Sequence, residues 1–135
     1  MAAGRRCCNR TRGVVLRCLI VDDNPAFREE VRGLLQEQGL DVVGTAGSAD
    51  EALRRIDELR PDVALIDIDL GGESGFDLAR RVGEVARVIL ISTHDEAEYA
   101  DLIAASPAVG FVAKTKLSAE AIRLVLSRSD EHRGT

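Results

Sequence analysis

Charged and hydroxyl side chains stand at the ends of several short apolar runs in this sequence. They are Asp22, Asp23, Asp67, Ser92 and Lys114. Carboxylates that lie close together repel one another, and they stay ionised only around a cation. Carboxylate oxygens without nearby His or Cys favour Mg²⁺, which keeps several waters and bridges to phosphate groups. We therefore expect Asp22, Asp23 and Asp67 to hold Mg²⁺.

The same residues could carry phosphoryl chemistry. A carboxylate beside a divalent cation can attack phosphorus, so Asp67 is a candidate nucleophile that forms an aspartyl-phosphate. Lys114 would neutralise one phosphoryl oxygen as a compact point charge. Ser92 would donate a hydrogen bond to another phosphoryl oxygen. This chemistry requires all of these side chains to meet at one place.

The pattern of the chain supplies such a place. Five short runs rich in Val, Ile and Leu predict strands that are buried on both faces, at residues 16–21, 42–46, 63–68, 88–91 and 109–113. Helical patterns separate them, which indicates parallel strands with right-handed crossovers. We predict an α/β fold: a flavodoxin-like, doubly wound, five-stranded parallel sheet in the order 2-1-3-4-5, with helices on both faces. Its ligand site lies at the carboxyl ends of the strands.

Local signals mark the helices. Pro25 is typical of a first helical position and Gly39 of a helix end. Ser48 and Glu51 match a capping box, and Pro61 ends the helix that follows. Later helices are predicted at 75–83, at 95–105 and from Ser118 onward.

Composition excludes several functions. The 135 residues carry a net charge of −5, yet residues 1–17 hold five Arg and no acid, so the remainder has 13 basic and 23 acidic groups. An acidic body is a poor match for nucleic-acid phosphates. Aromatic residues make up 3% of the chain, too few for base stacking. We therefore expect no direct nucleic-acid binding.

Cysteine and hydropathy patterns indicate a cytoplasmic protein. Cys7, Cys8 and Cys18 form neither a disulfide framework nor a zinc-binding spacing. No apolar run approaches the roughly 20 residues that span a bilayer. The basic start has no apolar core typical of a secretory signal. We expect free thiols, no membrane partner and a cytoplasmic location.

Four segments carry a resemblance to a known family. LIVDDNP at 19–25, PDVALIDIDLGGESG at 61–75, VILIST at 88–93 and GFVAK at 110–114 resemble the receiver domain of two-component response regulators. The order and spacing of these segments make the resemblance specific. It covers 16–128, which we take as the domain, with a disordered basic arm at 1–15 and a polar tail at 129–135.

The resemblance implies a role for each residue. Asp67 would be the phosphorylation site, supplied by a sensor histidine kinase. Asp22 and Asp23 would be the acidic pair for Mg²⁺, with Asp23 a direct ligand, and the backbone carbonyl of Asp69 would complete the protein ligands. Ser92 and Phe111 would form a switch pair, in which the hydroxyl moves toward the phosphoryl group and the ring fills the vacated space.

Such a domain would be a signalling switch. It is consumed once per phosphorylation cycle, so we do not expect an enzyme. With only a polar tail after residue 128, we expect a stand-alone receiver that signals through a downstream protein, whose identity the sequence does not give. The face formed by the fourth helix, the fifth strand and the fifth helix could also support a homodimer.

The sequence departs from the family pattern near its site. Thr115 follows Lys114 where the family usually has a cis-proline, and a cis bond to a non-proline residue costs about 3 kcal/mol, so we predict a trans bond and a reshaped loop. Gly71, where the family often has Pro, predicts a more flexible loop. Asp69 and His94 occupy positions that influence hydrolysis in the family. We hypothesise that the charge of Asp69 alters the phosphoryl lifetime.

Two other functions stay open. Asp67-Ile-Asp69 resembles the DxD motif of haloacid-dehalogenase-type phosphatases, in which the first Asp is the nucleophile and the second a general acid. That motif belongs on a first strand, whereas here it follows the third. The other alternative is a receiver-like interaction module that is never phosphorylated.

Overall fold

Five parallel strands form one sheet in this computed structural model, which describes residues 15–94 and 96–134, without the side chains from 130 onward. The strands are β1 (Arg17–Val21), β2 (Asp41–Ala46), β3 (Val63–Asp67), β4 (Arg87–Ser92) and β5 (Gly110–Ala113). Their order is β2-β1-β3-β4-β5, so the predicted topology is confirmed. Residues 1–14 of the predicted basic arm lie outside the described residues.

Five α-helices connect or follow the strands: α1 (Pro25–Glu37), α2 (Ala49–Leu59), α3 (Gly75–Val82), α4 (Ala100–Ala104) and α5 (Ala119–Gly134). Each predicted helix is present. Glu96–Tyr99 and Lys114–Lys116 form short 3₁₀ turns. None of the helices within the described part of the chain combines the length and apolar character that crossing a bilayer requires.

The strands are buried on both faces because helices cover each side. On one face the core joins Ile20 and Leu65 of the sheet to Leu35 of α1 and Ile122 of α5. On the other face, sheet residues pack against α2, α3 and partly buried α4. Alternate strand residues therefore enter opposite cores, as expected for a doubly wound sheet.

The last helix runs further than the sequence suggested. Ser118 accepts a hydrogen bond from the amide of Ala121 (3.0 Å), which caps the helix as predicted. The helix continues to Gly134, through the segment taken as a polar tail. The hydropathy pattern does not predict where this helix ends, because the last residues have no apolar face to bury.

A short antiparallel hairpin follows Asp67. Its two strands are Asp69–Leu70 and Glu73–Ser74. The turn places Gly71 at φ +60° and Gly72 at φ +100°, a region where residues with a Cβ are strained. A Cβ on Gly71 would also lie 2.6 Å from Oδ2 of Asp23. The two glycines therefore meet a turn requirement and leave room for the Asp23 carboxylate.

Gly75, where α3 begins, is the most sterically constrained glycine of the structure. A Cβ there would lie 2.1 Å from the backbone oxygen of Asp67. We expect Gly75→Ala to lower the free energy of unfolding by about 3 kcal/mol, the upper end of typical overpacking costs. Gly33→Ala is the matched control, because its Cβ would meet nothing within 4 Å.

Chemical denaturation measures both variants. The Gly33→Ala substitution lies inside α1 and should stabilise the protein by about 1 kcal/mol through helix propensity. If Gly75→Ala unfolds at the wild-type midpoint, the close approach of α3 to the end of β3 is wrong.

Candidate functional site

One cavity of about 220 Å³ lies at the carboxyl edge of the sheet. It is lined by the polar residues selected from the sequence: Asp22, Asp23, Asp67, Asp69, Ser92 and Lys114. Asp67 and Ser92 are the last residues of β3 and β4, and Lys114 directly follows β5. Parallel strands end at the same edge, so residues distant in sequence meet there.

Three carboxylates form the floor of this cavity. Asp22 is fully buried and Asp67 is 6% exposed, whereas Asp23 is open to solvent. One oxygen from each lies within 4.8 Å of the others. Like charges this close raise one another's energy, so the cluster needs positive charge nearby.

The buried Asp22 is held on several sides. Its Oδ1 accepts a hydrogen bond from the amide of Asn24 (2.8 Å), and its backbone carbonyl accepts one from Nη1 of Arg28 (2.6 Å). Its Oδ2 has no hydrogen-bond partner of good geometry within the described residues and instead contacts Lys114 as an ion pair. The acidic turn after β1 is therefore fixed before any ligand binds.

Lys114 supplies the positive charge. Its Nζ lies 2.5 Å from Oδ2 of Asp22 and 2.9 Å from Oδ2 of Asp67. Within the described residues no peptide bond is cis, so the predicted trans Lys114–Thr115 bond is confirmed. The loop that begins at Lys114 is a 3₁₀ turn, and the lysine side chain reaches the carboxylates.

The pKa values of this pair follow from burial and contact. Burial raises the pKa of Asp67 above its usual range, against the opposing effects of Lys114 and the Asp69 amide. Burial alone would lower the pKa of Lys114, but its contacts with the carboxylates of Asp22 and Asp67 outweigh it and raise that pKa. Without a metal, ionising the buried carboxylate of Asp67 is therefore costly, and the positive charge of Lys114 stabilises its ionised form.

Asp69 and Ser92 border the cavity through their own local contacts. The Asp69 amide donates to Oδ1 of Asp67 (3.1 Å), while the Asp69 side chain faces solvent. Ser92 is buried, and its Oγ accepts from the amide of His94 (3.0 Å). The hydroxyl hydrogen of Ser92 therefore remains available to a ligand oxygen.

Phe111 lies apart from the cavity. It pairs with Leu90 across β4 and β5, two positions before the pairing of Ser92 with Ala113. Its half-buried ring packs against the core that includes Phe76 and Leu78 of α3, and it borders a groove of about 340 Å³ shared with α5. The ring thus connects the sheet beside Ser92 to an exterior surface.

Comparison with known proteins gives the family. The model of the response regulator receiver domain matches residues 18–126. The chain belongs to this receiver family. The match includes all five strands, apart from Arg17 at the start of β1, and every residue that lines the acidic cavity. The family assignment and the geometry therefore concern the same part of the molecule.

Relatives agree with this assignment. The response regulator GacA of Pseudomonas viridiflava is 32% identical over 120 residues, 84% of this chain and 56% of that protein. A protein-glutamate methylesterase/protein-glutamine glutaminase of Bacillus subtilis is 34% identical over 85 residues, 61% of this chain but 24% of the enzyme. This receiver thus spans little more than half of the first relative and a quarter of the second.

Solved structures show the same fold. The signal receiver domain of NarL from Mycobacterium tuberculosis superposes with a TM-score of 0.74 and 34% identity, over 86% of this chain and 97% of that one. A CheY-like receiver from Methanospirillum hungatei, 23% identical, gives a TM-score of 0.72 over 89% and 98% of the two chains. The latter likeness concerns the fold alone.

The acidic cavity of this receiver fits a divalent cation. Asp22, Asp23 and Asp67 offer only carboxylate oxygens, the ligands that Mg²⁺ prefers. Together with Lys114 they carry a formal charge of −2, which a divalent cation would balance. These three residues would therefore hold the metal, and the metal would draw negative charge away from an incoming phosphoryl group.

Magnesium is accordingly expected to stabilise the receiver. When free Mg²⁺ is 100 times its dissociation constant, the gain is about 2.7 kcal/mol, measured as a shift of the denaturant midpoint that a chelator reverses. Asp23→Asn should lose most of this gain without weakening the metal-free protein, because Asp23 is exposed. Asp77→Asn, which changes an exposed side chain of α3, should keep the gain. An equal gain in both variants would contradict the site.

Sequence reasoning assigned no site role to two residues that matter here. The spacing of Phe27 is that of a residue on the apolar face of α1, yet its ring lies over the ammonium of Lys114 at 4.4 Å. Arg28 was not selected, although it fixes the backbone of Asp22. Both lie within six residues of the acidic pair, and that adjacency is the only sequence signal that could have drawn attention to them.

Proposed function

We propose that this receiver is a phosphorylation-dependent signalling switch, in which Asp67 accepts a phosphoryl group from a histidine kinase with Mg²⁺ as cofactor. The observation that carries the proposal is the position of Lys114. Its ammonium contacts the buried carboxylates of Asp22 and Asp67 at 2.5 and 2.9 Å. A cation held beside a buried carboxylate is already positioned to stabilise the negative charge of a phosphoryl group that is transferred to that carboxylate.

The chemical step has a simple balance. An oxygen of the Asp67 carboxylate attacks phosphorus, a new O–P bond forms, and the bond to the donor nitrogen breaks with its electron pair leaving on the donor. Lys114 then pairs with a phosphoryl oxygen, and Ser92 donates its hydroxyl hydrogen to another. The carboxylates of Asp22, Asp23 and Asp67 and the backbone carbonyl of Asp69 are the proposed metal ligands.

The response to phosphorylation would run through β4 and β5. Ser92 turns toward the phosphoryl group, and Phe111 moves into the space that this leaves. The half-buried ring of Phe111 borders the groove with Leu124 and Val125 of α5, so its movement would reshape that surface. Phosphorylation would thus shift the population between two arrangements of one surface.

The exposed apolar side chains of that surface indicate where a protein partner could bind. Leu102 of α4 and Leu124 of α5 are large apolar side chains that are 54% and 52% exposed. A downstream protein or a second copy of this chain could cover the face formed by α4, β5 and α5. We propose signalling by protein contact in the cytoplasm, without direct nucleic-acid or membrane binding by this domain.

The charge of Asp69 would set the lifetime of the phosphorylated form. Its exposed side chain lines the same cavity as Asp67, so it would stand near the phosphoryl group. We expect Asp69→Ala to change the decay rate of the aspartyl-phosphate, followed by loss of the phosphorylated mass over time. An unchanged decay rate would remove this role.

Phosphorylation stoichiometry tests the proposed function. Incubation with a small-molecule phosphodonor and Mg²⁺ should add one phosphoryl group per chain, by intact mass, and a chelator should prevent it. Steady turnover of a phosphomonoester would instead favour the phosphatase alternative. Absence of any uptake, together with no binding of beryllofluoride, would favour an interaction module that is not phosphorylated.

A further inference from the structure

The turn after β1 and the first turn of α1 form one rigid unit. Oδ1 of Asp22 accepts from the Asn24 amide. Oδ1 of Asn24, the N-cap of α1, accepts in turn from the amides of Ala26 (3.0 Å) and Phe27 (3.3 Å). Pro25 restricts the backbone between them. The backbone of Phe27 is thus fixed relative to the buried carboxylate of Asp22.

The Phe27 ring links the start of α1 to the Lys114 side chain. It lies 4.4 Å from Nζ of Lys114, a distance at which the face of an aromatic ring attracts a cation. The same Nζ contacts Oδ2 of Asp22. The contacts therefore run from Asp22 through Asn24 and Phe27 to Lys114 and back to Asp22.

The turn that follows β5 provides the backbone of Lys114. This residue begins a 3₁₀ turn in which the Leu117 amide donates to the Lys114 carbonyl at 3.4 Å, a long hydrogen bond. A lysine side chain also loses rotamer entropy when it is fixed. The position of the ammonium therefore depends on what its end touches.

We propose that Phe27 is a positioning residue, whose ring holds the Lys114 ammonium at the phosphoryl site. This inference rests on the proposed function and adds a residue to it. The ring attracts the charge through its face, while Asp67 accepts one N–H of the ammonium and Asp22 contacts it as an ion pair. An N–H that Asp67 does not use can be donated to a phosphoryl oxygen.

Two substitutions at one position separate this role from simple packing. Phe27→Leu keeps an apolar side chain and removes the ring, and Phe27→Tyr keeps the ring. The tyrosine hydroxyl can enter the adjoining groove of about 440 Å³, which Phe27 lines. We expect Phe27→Leu to slow phosphorylation by a small-molecule donor about 2- to 30-fold, and Phe27→Tyr to retain the wild-type rate.

Nuclear magnetic resonance gives a readout that does not depend on phosphorylation. The chain has only two lysines, and the exposed Lys116 serves as the internal reference. Ring current from Phe27 should shift the terminal methylene protons of Lys114 away from those of Lys116. Phe27→Leu should abolish that difference, and Phe27→Tyr should keep it.

A double-mutant comparison tests whether Phe27 acts through the lysine. In Mg²⁺-free buffer, Phe27→Leu should lower the denaturant midpoint more in the wild-type background than in Lys114→Gln, since the ring has no cation to hold in the latter. Equal losses in the two backgrounds, or a Lys114 shift unchanged in Phe27→Leu, would overturn the inference. If the wild type takes up no phosphoryl group, the proposed function fails, and these two measurements still decide the role of Phe27.

Discussion

Replacing Asp67 with Asn is expected to abolish phosphoryl uptake from a small-molecule donor. The amide lacks the anionic oxygen that attacks phosphorus, and the other carboxylates of the cavity are the proposed metal ligands. The fold should persist, because Asn removes a buried charge and Lys114 keeps its contact with Asp22. Intact mass after incubation measures uptake, and the denaturant midpoint measures folding.

Asp77→Asn is the control for this substitution. Asp77 is an exposed carboxylate in the first turn of α3 and pairs with Arg80 on the surface. The Asp77→Asn variant should take up one phosphoryl group per chain, as the wild-type protein does. Wild-type uptake by Asp67→Asn would show that another residue is the acceptor.

Removing the charge of Lys114 should have the largest effect on stability near the site. Lys114→Gln leaves Asp22 and Asp67 buried without a counter-ion, and such a loss costs about 3 kcal/mol. We expect this loss in Mg²⁺-free buffer and recovery of most of it when Mg²⁺ is added, because the metal would supply the missing positive charge. Denaturation with and without chelator measures both.

Lys116→Gln is the matched control, since it removes an exposed charge two residues away. It should change the midpoint little at any Mg²⁺ concentration. Phosphorylation of Lys114→Gln should also be slower than wild type even when Mg²⁺ restores its stability. A metal-free midpoint for Lys114→Gln equal to that of Lys116→Gln would contradict the buried ion pairs.

The strand order and the position of the cavity were predictable because both follow from patterns local to the chain. Continuous apolar runs require strands covered on both faces, and five alternations with helices leave few topologies. Once the strands are parallel, a residue such as Asp67 or Ser92 that ends one must lie at the common edge. The trans Lys114–Thr115 bond also followed from a local energy cost.

Contacts between distant segments could not be predicted in this way. Phe27 meets Lys114 only because α1 and the turn after β5 lie side by side, and its sequence spacing is the same as that of a core residue. Gly75 must be small because a backbone carbonyl passes 2.1 Å from the position of its Cβ. The hairpin geometry of the Gly71–Gly72 turn was not predicted either, because it requires the pairing of Asp69–Leu70 with Glu73–Ser74.

Locating the phosphoryl group tests the central claim most directly. Wild-type protein would be phosphorylated with a small-molecule donor and Mg²⁺, treated with borohydride to reduce the acyl phosphate to an alcohol, digested and sequenced by tandem mass spectrometry. We predict reduction at Asp67 and at no other carboxylate, in proportion to the phosphorylated mass. A phosphoryl group located on another residue, with Asp67 unreduced, would contradict the account.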